Sequence, residues 1–179
     1  IRKDSETTIN KNLLKAYEVI KTKVKIQSQV KHQIEKVFLD VVPSIDKLLK
    51  LDNENKITEK HFNELLKITK KIDKLKDIIA KKSYQKYIEN VIQISVYYQE
   101  LELAKISVAP SDTTLQKVNK LLMWVEMHKY WMFSAAGGLN ADIEVTKKAS
   151  KALVTELKKR KLITKNEIGS VKENFTLSI

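Results

Sequence analysis

The sequence contains no cysteine. That removes disulfide staples and thiolate metal sites, and it leaves the redox compartment open. Glycine and proline are almost as scarce, with three and two among 179 residues. A turn-rich β fold needs a breaker at every reversal, so the scarcity excludes one and points to a few long helices. Arginine is nearly missing as well: Arg2 and Arg160 aside, all of the 34 basic side chains are lysine. Base-edge readout and bidentate phosphate recognition use the guanidinium fork. The net charge of +12 therefore argues for a lysine coat rather than sequence-specific nucleic-acid binding. Salt-sensitive attraction to polyanions or to an anionic membrane surface is compatible with that coat.

The signatures of catalysis are missing too. There is no phosphate-cradling glycine loop, dinucleotide fingerprint or nucleophile elbow. The three histidines, His32, His61 and His128, each lie near a glutamate, yet the paired Glu-x-x-His order of a di-iron bundle does not occur. No histidine pair has zinc spacing either. These observations predict a protein that is not an enzyme and carries no metal or cofactor. The chain starts Ile1-Arg2-Lys3 without an initiator methionine, as a trimmed or processed form would.

What is present is the composition of a folded domain, 42% hydrophobic and 31% charged. Apolar residues recur at spacings of three and four. Ile9, Leu13, Tyr17, Ile20, Val24, Val30, Ile34, Val37 and Val41 predict a first helix over about 8–42, stopped at Pro43. Ser44 to Leu51 forms a short helical piece, and Asp52-Asn53-Glu54-Asn55 a polar loop without the glycine and terminal glutamate of a calcium loop. Ile57, Thr58 and Phe62 make a staple around a helix start. Leu65, Ile68, Ile72, Leu75 and Ile79 then form a coiled-coil-like seam over about 58–82, with Lys67, Lys70, Lys71, Lys74 and Lys76 as its solvated face.

After Ile79 the seam shifts register to Tyr84, Tyr87, Val91, Ile94, Tyr98 and Leu101. Either a separate helix covers 83–107, or one helix runs through 58–107 with a stutter. Pro110 and Ser111-Asp112 open a helix over 111–136. Gly137-Gly138 close it, and Asn140 and Asp142 start another over 141–161, which ends in the basic run Lys158 to Lys161. Ile163 to Ile168 combines a capping box with a staple, predicting a short helix over 164–174. The expected fold is thus one all-α domain over 1–179, an elongated antiparallel bundle of four to five long helices.

The most distinctive stretch is Val118 to Gly138, which holds both tryptophans and all three methionines. Its apolar residues fill most of a helix circumference, so the helix needs partners on several sides, and one reading makes it the central helix of the bundle, enclosed by its neighbours. Tryptophan and methionine are favoured at contact hot spots and adaptable surfaces. Trp124, Met127, Trp131, Met132, Phe133, Gly137 and Gly138 are therefore the candidates for contact with a partner or a membrane. The expectation is a binding or scaffolding module acting through protein–protein contact. Two alternatives are a toxin-like membrane-active protein that stores an amphipathic hairpin over 118–145, and a sensory bundle that binds a small-molecule ligand. Asn119, Lys120, Glu126, His128 and Lys129 interrupt the run, well short of the roughly 20 apolar residues of a transmembrane span.

Overall fold

A computed structural model describes residues 2–88 and 108–163. The fold is all-α, and the described residues contain no strand. Helix α1 covers Arg2–Asn53. A single 3-10 turn, Glu59–His61, leads into α2 at Phe62–Ile79. Helix α3 is one turn, Lys82–Gln85, and α4 covers Thr114–Lys159. The predicted helix over 164–174 and most of 83–107 lie outside the described residues. Helix α2 ends at Ile79 and the chain turns at Ala80 and Lys81, so of the two readings for 58–107 the unbroken helix does not occur.

Two expected breaks are absent. Pro43 sits inside α1. An interior proline forfeits one backbone hydrogen bond and crowds the preceding turn, at about 3 kcal/mol. Val41, Ile45 and Leu48 on either side of it are almost fully buried. Each such side chain stabilises the folded state by roughly 1.5–3 kcal/mol, so together they outweigh the proline. Gly137 and Gly138 likewise lie within α4, and neither has a positive φ. Two helical glycines cost about 0.5–1 kcal/mol each. Met132, Ala135, Leu139 and Ile143 are buried on both sides of them, which holds the helix through the pair. Asn140 and Asp142 are consequently interior rather than starters, and the hairpin over 118–145 is not formed.

Both long helices end the same way. Asn55 and Lys161 have φ of 56°. At the end of α1, Lys56 N–H donates to the Leu51 carbonyl at 2.7 Å and Asn55 N–H to that of Asp52 at 3.0 Å. At the end of α4, Leu162 N–H donates to the Leu157 carbonyl at 2.9 Å and Lys161 N–H to that of Lys158 at 3.0 Å. These are Schellman motifs, which satisfy the last carbonyls of a helix. The acidic-amide stretch Asp52 to Asn55 is thus a helix terminator. At the start of α4, Thr113 Oγ1 accepts from Gln116 N–H at 3.2 Å and Gln116 Oε1 from Thr113 N–H at 2.8 Å. That reciprocal capping box places the start two residues beyond Ser111. Asp112 instead braces the turn before it, accepting from Ala109 N–H and Lys120 Nζ, both at 2.8 Å. The Lys120 hydrogen bond, then that of Ala109, holds its carboxyl below the usual range.

The chain divides into two compact units, one of residues 1–32 with 139–179 and one of residues 33–138. In the first, Tyr17 and Leu157 pack together, with Leu13, Leu153, Val154, Leu162 and Ile163 against them. Arg160 donates to Asn10 Oδ1 at 3.0 Å and Lys31 Nζ to Asn140 Oδ1 at 3.1 Å. The partners over 140–160 thus fall in number as those on α1 rise. In the second unit, Leu65, Ile68, Ile72, Leu75 and Ile79 of α2 are all buried, as their spacing predicts. Ile34, Val41, Ile45 and Leu48 of α1 and Val118, Leu122, Val125 and Met132 of α4 are buried too. Lys67, Lys70, Lys71 and Lys74 remain exposed, and Lys71 pairs with Asp40 at 2.8 Å.

Candidate contact face on helix α4

Within the second unit, α4 has two chemically different sides. Val118, Leu122, Val125, His128, Met132 and Ala135 turn inward. At about 100° per residue, Met123, Glu126, Met127, Tyr130, Phe133, Ser134 and Gly137 all fall within about 60° of Tyr130 on the outer side. Phe133 is 70% exposed, Tyr130 60% and Met123 55%. Glu126 and Met127 are half-buried, while Ser134 and Gly137 are exposed. Only Glu126 in this arc carries a charge at neutral pH, although 31% of the sequence is charged. Large aromatic and thioether side chains are left in water here without a lysine among them.

The arc extends onto α1 through an aromatic pair. The Phe38 and Phe133 rings lie tilted at 40° with centroids 6.4 Å apart. Leu39, the next residue of α1, is exposed. Lysine stands at the edge: Lys129 pairs with Asp46 and places its Nζ 5.9 Å from the Tyr130 centroid. An apolar centre with charge at its margin is the usual anatomy of a protein-contact patch.

The sequence-derived candidates divide between the two sides. Trp131 is only 6% exposed and Met132 is fully enclosed. Both are corrected from contact residues to core residues. Trp124 is half-buried and stacks on His128, with centroids 3.4 Å apart and planes 27° apart. Lys76 of α2 covers the Trp124 ring, its Nζ 5.6 Å from the centroid. The Trp131 ring meets His128 edge-on at 6.3 Å. Gly138 is half-buried, and Met127, Phe133 and Gly137 belong to the arc. Met123 and Tyr130 complete it without having been singled out. Their sevenfold spacing with Gly137 was the signal that could have found them.

His128 belongs to the core. Its Nδ1–H donates to the Trp124 carbonyl at 2.6 Å. Burial pushes its pKa down to about 3; the hydrogen bond opposes that shift and the Lys76 charge adds to it. The ring is therefore neutral at physiological pH. His61 serves a helix start, with Nδ1 accepting from Thr58 N–H at 3.1 Å. Among the described residues, no three His, Cys, Asp or Glu side chains converge as metal ligands, and no helix is long and apolar enough to cross a membrane. Val91, Ile94, Tyr98 and Leu101 of the shifted seam lie outside the described residues.

No protein-family model matches the chain, and neither a curated protein nor a solved structure is significantly similar to it.

Proposed function

We propose that the chain is a non-enzymatic binding or scaffolding module, an antiparallel helical bundle that acts by protein–protein contact through the outer arc of α4. The observation that carries this reading is the exposure of Met123, Tyr130 and Phe133 on one charge-poor face. Leaving such side chains in water forgoes roughly 25 cal/mol for every Å² that a partner would cover. Apolar surface concentrated on one face of a folded protein marks a place of contact. The lysine coat elsewhere keeps the chain soluble.

A photo-crosslinking residue placed at Tyr130 or Phe133 tests the reading, with Asn63 on the exposed side of α2 as the control position. In extracts of native cells both face positions should yield one adduct of the same mass, and Asn63 should not. Adducts that are equally abundant at all three positions would reject the arc as the working surface.

A further inference from the structure

The arc is not merely apolar; its pattern is self-complementary about Tyr130. When two helices pack antiparallel across a two-fold axis, residues equally far before and after the axis face each other. With the axis at Tyr130, Met123 of one copy meets Gly137 of the other, Met127 meets Phe133, and Glu126 meets Ser134. Away from the axis, each large side chain thereby faces a small or adaptable one. A Cβ added at Gly137 would meet nothing within 4 Å, so there is open space above this glycine for the Met123 thioether. Glu126, the arc's one charge, faces a hydroxyl that can donate to it rather than a second carboxylate. Tyr130 meets its own image, where offset aromatic stacking is favourable.

Charge selects the occupant. An anionic bilayer or an acidic partner would be matched by unpaired lysines within the contact; the arc itself has none, and Lys129 at its edge is paired with Asp46. Two copies of a chain with net charge +12 repel each other over most of their surfaces. They repel least where basic residues are missing and apolar side chains are gathered. We infer that the occupant of the arc is a second copy of this chain, paired antiparallel through α4 with the two-fold axis at Tyr130. This rests on the reading of the arc as a contact face and names its partner. Four helical turns, with Phe38 and Leu39 beside them, make a small interface, and such pairs are weak, with Kd on the order of 10–100 µM.

The chain has no cysteine, so introduced ones report without background. Tyr130→Cys should form a symmetric disulfide dimer under mild oxidation at least tenfold faster than Asn63→Cys. A mixture of Met123→Cys chains and Gly137→Cys chains should crosslink to each other in preference to either alone. Sedimentation velocity over roughly 5–500 µM should show a monomer–dimer equilibrium. Higher salt should tighten it by screening the like charges. Phe133→Lys and Gly137→Leu should each weaken it at least tenfold, with helical circular dichroism unchanged to show an intact fold. A monomer at every concentration, or dimers whose Tyr130→Cys chains crosslink no faster than the Asn63→Cys control, would overturn the pairing. A monomeric chain that still gives a single heterologous adduct at Tyr130 and Phe133 would overturn the pairing alone and leave the contact-face reading standing.

Discussion

The His128 imidazole lies face to face with the Trp124 indole, ring centroids 3.4 Å apart, and is tied by its Nδ1–H to the Trp124 carbonyl one helical turn earlier. A residue of ordinarily titrating type is thereby built into the aromatic core of the second unit as a neutral ring. The Lys76 ammonium above the indole reinforces that state.

Acid should therefore destabilise the fold. The ordinary histidine pKa is about 6.5, and burial first, with Lys76 adding, lowers that of folded His128 to about 3. Between these values the unfolded chain binds the extra proton, so the stabilisation is complete above pH 6.5 and is lost as pH falls toward 3. At pH 4.5 the loss attributable to this residue should be about 2–3 kcal/mol relative to pH 7. Urea unfolding at the two pH values measures it, and His128→Phe, which keeps a stacked ring, should remove most of the difference. An equal loss in the variant would place the acid sensitivity elsewhere.

Met132 and Phe133 are neighbours in sequence and opposites in environment. Met132→Ala should cost roughly 2–5 kcal/mol by opening a cavity in the core. Phe133→Ser should stay within about 0.5 kcal/mol in the monomer, because its ring is largely in water. Chemical denaturation of dilute samples compares them, and similar losses would mean that the two sides of α4 have been misassigned.

The helix terminators offer a stabilising change. Lys161 holds a left-handed conformation, φ 56°, in which its Cβ crowds the carbonyl. Lys161→Gly should raise stability by about 1 kcal/mol, visible as a higher Tm. Asn55→Gly should gain less, since asparagine already tolerates this conformation. Equal gains at the two sites would argue against the distinction.

Pro43→Ala should restore the hydrogen bond from residue 43 to the Leu39 carbonyl. The gain of about 3 kcal/mol is offset by the looser unfolded chain, at about 0.4–1 kcal/mol, leaving a net stabilisation near 2 kcal/mol. Thermal unfolding decides the sign, and a lower Tm would show that the proline suits its place in α1.

The α2 seam was legible in the sequence because its five apolar residues follow one helical stripe, and all five are buried. The helix class was legible for the same reason, together with the shortage of breakers. The candidate site was legible only as a stretch. Trp124 to Phe133 is apolar around most of its circumference, and periodicity does not say which arc the neighbours will cover.

Composition and periodicity alone determined that this protein is all-α, lysine-coated and free of disulfides, because those properties depend on residue type and spacing along the chain. Tertiary packing alone decided that α1 passes Pro43, that α4 passes Gly137 and Gly138, and that Trp131 and Met132 go inward while Tyr130 and Phe133 stay outside. A local breaker costs a few kcal/mol at most, and buried side chains on both flanks return more than that. Which flanks become buried is a property of the neighbours, and no residue specifies it by itself.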